Sequence, residues 1–195
     1  MAEDENPITL SRRAVIASAT LVPVAAIKSA AQAAAPAAEP VFTASERRLL
    51  EAFIGRLIPK DENGPGAVEC GAIGYFERQL AGYLAPEKAG ILEGLSAADA
   101  SARKAHNTGF ADLTPDQQDT VITTIQQESA GFFNRIRRMT LEATFGDPYY
   151  GGNKDFAGWD LIRYPGVRLA VSPEEQKMTP IKPTYASAWG AKYGH

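Results

Sequence analysis

The amino-acid sequence predicts an all-α fold: a bundle of about five helices followed by a long irregular segment rich in glycine, proline and aromatic residues. Three observations carry that prediction. Apolar residues recur at helical spacing in successive runs between Thr43 and Phe145. Two of those runs open on strong capping signals. The β-like pieces, such as Val167 to Val171, are too few and too short to make a sheet core.

The first helix opens at Thr43, because Glu46 three residues later completes a capping box. Leu49, Leu50, Phe53, Ile54, Leu57 and Ile58 then form one apolar stripe until Pro59 stops it. Charge, glycine and proline between Asp61 and Gly66 mark a loop. A second helix carries Ile73, Phe76, Leu80 and Leu84 and ends before Pro86. Between Glu87 and Asn107 the apolar residues are mostly alanine, with Ile91, Leu92 and Leu95 as anchors of a third helix. Thr114, Pro115 and Gln117 supply an N-cap, a first-turn proline and a capping-box acceptor, so the fourth helix begins there with Val121, Ile122 and Ile125 on its face. After Gly131 a fifth run follows, through Phe132, Phe133, Ile136, Met139 and Leu141 to Phe145.

From Gly146 onward no helical period is visible. The rings of Tyr149, Tyr150, Phe156, Trp159, Tyr164, Tyr185, Trp189 and Tyr193 fall in that segment. Each large ring offers on the order of 150–250 Å² of surface to bury, so the segment needs either the bundle or a partner to lean on.

At the other end, Arg12 and Arg13 stand directly before an apolar stretch from Ala14 to Ile27. Fourteen helical residues reach roughly 21 Å, short of the roughly 30 Å hydrocarbon core, which favours a removable signal over a permanent span. Ala31-Gln32-Ala33 offers a cleavage site. The expected organisation is therefore a twin-arginine signal over residues 1–33, a linker over 34–42, and one domain over 43–195 whose irregular tail starts near 146. Such a signal directs the chain to the twin-arginine translocase and the periplasm; the alternative, an ordinary Sec-type signal that carries two arginines, changes the export route but not the destination.

A chain of 195 residues with 45% apolar content supports one sizeable core. A net charge of −3 gives no reason to expect nucleic acid. Cys70 is the only cysteine, which excludes an intramolecular disulfide, a cysteine-rich zinc cage and a c-type haem attachment site. No strand, Gly-x-Gly-x-x-Gly and helix succession is present to cradle a dinucleotide, and Gly151-Gly152 reads as a turn needing positive φ. His106 and His195 lie far from any serine or cysteine motif. We therefore expect no catalytic, cofactor-binding or metal-binding residue in this chain.

Asp147, Asp155 and Asp160 flank the aromatic loop, and with Tyr149, Tyr150 and Trp159 they could imitate a sugar-binding surface; capping of turns and packing of rings is the simpler reading. Arg135, Arg137 and Arg138 read as a solvated helix face, with a subunit contact as the alternative.

The run from Gly146 to Asn153, read Gly-Asp-Pro-Tyr-Tyr-Gly-Gly-Asn, followed by Gly158-Trp159 and Tyr164-Pro165-Gly166, resembles the gluconate 2-dehydrogenase subunit 3 family. The Phe53-to-Pro59 helix end, the Leu113-Thr114-Pro115 cap and the Phe132-to-Phe145 helix resemble it in order and spacing. The resemblance implies a small, non-catalytic subunit beside a flavoprotein of the glucose–methanol–choline type, with FAD in that partner and haem c in an accompanying cytochrome. It further implies co-export of the folded pair and association with the inner membrane through the complex. Tyr149, Tyr150, Trp159, Tyr164 and Trp189 are the candidate partner contacts. The alternative is a free-standing periplasmic carbohydrate-binding helical module.

Overall fold

A computed structural model describes residues 40–168, 170–177 and 182–190. Six α-helices lie among them: α1 (Ala44–Leu57), α2 (Ala72–Ala81), α3 (Lys88–His106), α4 (Pro115–Glu128), α5 (Ala130–Phe145) and the short α6 (Ala157–Leu161). No strand occurs among the described residues; an isolated bridge pairs Asp61 with Gly64. The expected signal, Arg12 and Arg13 included, and the linker as far as Glu39 lie outside the described residues, whereas Phe42 at the end of that linker is buried in the core with Val41 packed against it.

Both predicted capping boxes form. The Thr43 hydroxyl accepts the Glu46 backbone N–H at 3.2 Å, while the Glu46 carboxylate accepts the Thr43 N–H at 2.7 Å. Thr114 and Gln117 make the same reciprocal pair ahead of α4. These contacts satisfy N–H groups that the first turn of a helix leaves without partners. Helix α3 closes on Asn107 in the left-handed conformation, φ 55°, with its N–H returning to the Arg103 carbonyl.

Helices α1 and α5 form the centre, each touching the other and α2, α3 and α4. Leu50, Phe53 and Ile54 are fully buried along the inner stripe of α1. Phe53 meets Phe110 at 5.5 Å and Phe132 at 5.7 Å between ring centres, which joins α1 to the 110–112 turn and to α5. Ala98 and Ala102 lie wholly inside on α3, so its small residues let neighbouring helices approach closely. Each fully buried Phe, Leu or Ile side chain contributes about 1.5–3 kcal/mol, which makes this stripe-on-stripe packing the main source of stability.

Two boundaries differ from those expected. The break between α4 and α5 falls at Ser129, two residues ahead of Gly131. Phe133 N–H already donates to the Ser129 carbonyl, so the new helix starts there and Gly131 sits in its first turn. Helix α2 stops at Ala81, before Leu84. Gly82 turns the chain, the Leu84 N–H returns to the Gln79 carbonyl, and Pro86 enters a short 3-10 turn over Ala85–Glu87.

The segment after Gly146 is more ordered than its lack of period suggests. It holds 3-10 turns at Pro148–Tyr150 and Lys154–Phe156 and then α6, so a sixth helix joins the five expected. Local clasps and close backbone approaches produce these elements, and neither leaves a hydrophobic period in sequence.

Candidate interaction surface

The loop after α5 is built around Asn153. Its side chain is fully buried, donates to the Gly146 carbonyl and accepts the Gly158 N–H, each at 2.8 Å, while its own N–H reaches the Ala143 carbonyl. One amide thus ties the end of α5 to the start of α6. The turn ahead of it needs both glycines: Gly151 has φ 103°, and a Cβ on Gly152 would stand 2.0 Å from the Ala143 carbonyl oxygen. The turn reading of Gly151-Gly152 therefore holds.

This clasp places Phe156 and Trp159 against the bundle. Trp159 is 4% exposed, and its indole N–H donates to the Phe145 carbonyl at 2.9 Å. Of the candidate partner contacts, Trp159 is the one inside the fold: its ring closes the base of the loop. The other four candidates lie further out. Tyr149 is half-buried; Tyr150 is 40% exposed, Tyr164 41% and Trp189 56%.

The structure brings three of the five together. Tyr149 stands edge-on to Tyr150 at 5.1 Å and stacks on Trp189 at 4.9 Å, with the Arg78 guanidinium 4.9 Å from its ring centre. Tyr164 is apart from them, edge-on to Trp159 at 4.9 Å. Asp147 holds the tail in place: its carboxylate accepts the Tyr149 N–H, the Ser187 hydroxyl at 2.6 Å and the Ala188 N–H at 2.8 Å. Trp189 is thus delivered to Tyr149 by a fixed backbone.

The same bonds bear on the sugar-surface idea. Asp147 is occupied by its own chain, Asp160 accepts the Tyr185 hydroxyl at 3.1 Å, and Trp159 is inside. Asp155 sits exposed at φ 54° within the 154–156 turn. Capping accounts for Asp147 and packing for Trp159, which is the simpler reading of those two residues.

Sequence reasoning missed Tyr83, which is 90% exposed at the corner between α2 and α3. Its position after Leu80 suggests the apolar face of α2, but the helix ends at Ala81 and the ring swings outward. Beside it runs a groove of about 420 Å³ lined by Tyr75, Tyr83, Leu84, Tyr150, Arg138 and Glu142. The Tyr75 hydroxyl donates to Glu142 at 2.6 Å, and burial, reinforced by that bond, pushes its phenol above the ordinary tyrosine range. Burial likewise raises the Cys70 thiol. Arg135 pairs with Glu87, and Arg138 approaches Glu142 at 3.7 Å.

No group of three or more His, Cys, Asp or Glu side chains suited to a metal ion occurs among the described residues. No helix among them is long and apolar enough to cross a membrane.

A family model described as gluconate 2-dehydrogenase subunit 3 matches residues 44–166, well over half of the chain. The chain belongs to the gluconate 2-dehydrogenase subunit 3 family. No curated protein and no solved structure matches the chain. The matched span runs from the first residue of α1 through the Asn153 clasp and α6, so it covers both the bundle and the loop built on it. Membership makes this an accessory subunit type of a dehydrogenase complex.

Proposed function

We propose that this chain is the non-catalytic small subunit of a periplasmic, membrane-associated, FAD-dependent dehydrogenase acting on gluconate, a glucoside or a related sugar. It binds the flavoprotein subunit, a dehydrogenase of the glucose–methanol–choline type, supports its folding, and carries it through the twin-arginine translocase. FAD resides in that partner, and haem c in an accompanying cytochrome. The observation that carries this reading is the family match over residues 44–166. It is supported by the paired Arg12 and Arg13 ahead of an apolar run and by the exposed rings of Tyr83, Tyr150 and Trp189, since aromatic residues are enriched where proteins meet.

The test is affinity isolation of the tagged full chain from periplasmic and membrane fractions, with the absorption spectrum and masses of its companions. A yellow complex containing a flavoprotein, absent from the periplasm when Arg12 and Arg13 are changed to Lys, is the expected result. A colourless, solitary protein defeats the proposal.

A further inference from the structure

An exposed aromatic ring contributes most to binding when its backbone is already fixed, because little ordering entropy remains to be lost. Tyr83 meets that condition. The Gly82, Leu84 and Ala85 N–H groups bond back to the Gln79 and Gly82 carbonyls, and the Gln79 side chain donates across the groove to the Tyr150 carbonyl at 3.1 Å. Trp189 meets it too, held through Ala188 and Ser187 by Asp147, which also lines the groove. Rigid Tyr and Trp beside Arg is the composition of binding hot spots.

Charge says what the groove accepts. Glu142 is engaged by the Tyr75 hydroxyl and approached by Arg138, and Asp147 accepts three hydrogen bonds from its own chain. Arg78 lies over the Tyr149 ring and has no carboxylate within ion-pair distance among the described residues; Arg138 has Glu142 only at 3.7 Å. The groove's carboxylates are therefore occupied, while Arg138 in its lining and Arg78 over the adjoining Tyr149 ring retain donors for another group. The complement is an apolar or aromatic side chain flanked by an Asp or Glu.

We propose that the groove between the end of α2 and the Pro148–Tyr150 turn is the docking site for the flavoprotein subunit, through a segment that presents an apolar side chain beside a carboxylate. Tyr83 in the groove and Trp189 beside it on Tyr149 are the anchoring rings, and Arg138, with Arg78 over Tyr149, receives the carboxylate. The inference rests on the proposed function and deepens it by naming the face and the chemistry of what meets it.

The full chain is co-expressed with its FAD-containing subunit, with a photo-crosslinking phenylalanine at position 83, at 189, or at Gln127 on the exposed side of α4. Crosslinks to the flavoprotein from 83 and 189 but not from 127 are expected. A complex that forms normally yet crosslinks only from 127, or links 83 to a second copy of this chain, overturns the docking site and leaves the proposed function standing. Failure to form any complex overturns both. Tyr83→Ala should weaken flavoprotein binding at least about tenfold with no shift in the unfolding midpoint, and Arg138→Glu should weaken it most at low salt. Unchanged affinity in both variants also overturns the docking site.

Discussion

Two surfaces of this small bundle treat their exposed side chains in opposite ways. Around α1 and α4 the charges are matched within the chain: Arg47 pairs with Glu51 and Glu77, Arg48 with Asp112, Arg56 with Asp119, and Arg103 with Asp99. From Tyr83 through Tyr150 to Trp189 the surface instead carries rings, with Arg78 over the Tyr149 ring and Arg138 in a looser pair with Glu142 at 3.7 Å. The first surface is complete in water. The second holds large apolar area in fixed positions without covering it, which is the arrangement of a subunit that finishes its surface on a partner. The difference is what the proposed docking site rests on.

The comparison breaks first if the buried rings are confused with the exposed ones. Trp159 lies in the same motif as Tyr149 and Tyr150 but belongs to the core, so Trp159→Ala should destabilise the fold by about 3–5 kcal/mol. Denaturant titration measures the loss, and flavoprotein binding should fall only with the folded fraction. A Trp159→Ala protein of normal stability that no longer binds would move this ring back to the interface. Next in size is Asn153→Ala. It leaves the Gly146 carbonyl and the Gly158 N–H without their buried partner, at about 2–4 kcal/mol in total. The loop carrying Tyr149 and Tyr150 should loosen before α1 does, visible as faster amide exchange in 146–160 than in 44–57.

A smaller effect sharpens the ion-paired side. Thr43→Ala removes one half of the α1 capping box and should cost about 1 kcal/mol. The Glu46 carboxyl is held below its ordinary range by the Thr43 backbone N–H first and the Thr43 hydroxyl second. A depressed carboxyl contributes fully above its unfolded pKa, and its contribution is lost as pH falls through the lower, folded value. Stability should therefore decline on the acid side of the normal glutamate range, and Glu46→Gln, which keeps an acceptor for the same N–H, should flatten that decline. An identical acid limb in wild type and Glu46→Gln would show that the capping carboxylate does not set it.

The helices were legible in the sequence where local chemistry and hydrophobic period agree. Thr43 with Glu46, and Thr114 with Pro115 and Gln117, announce helix starts that the structure keeps to the residue. The tail was legible only as a motif. Asn153, Asp155 and Phe156 all take positive φ, so the 153–156 turn is dictated by buried hydrogen bonds and by the packing of Phe156, neither of which has a sequence period. Tyr83 escaped notice for a related reason: its exposure depends on α2 ending at Ala81, a boundary fixed by the Gly82 turn and the return of Leu84 to Gln79. Trp159 is ambiguous in sequence between packing and partner contact because an aromatic in an aperiodic segment gives no sign of which face it takes. Only the Phe145 carbonyl, brought beside it by α5, decides that.

The smallest expected effect tests whether the matched charges matter for stability at all. Arg56 and Asp119 meet through two hydrogen bonds of 2.8 and 2.7 Å, in the forked geometry that makes arginine–carboxylate pairs among the stronger ones. The pair bridges α1 and α4, yet the carboxylate is half-exposed, so solvent screens it. A double-mutant cycle with Arg56→Ala and Asp119→Ala should give a coupling of about 0.2–1 kcal/mol at low salt, shrinking towards zero near 1 M salt. The bond to Arg56 holds the Asp119 carboxyl below its usual range, so whatever coupling exists is lost as pH falls through that lowered value. Neither change should alter flavoprotein binding, because the pair lies between α1 and α4 and not among the residues of the proposed docking groove. A coupling well above 1 kcal/mol would mean that the pair is shielded from water, and a drop in binding on breaking it would place the partner on the ion-paired side, reversing the assignment of the two surfaces.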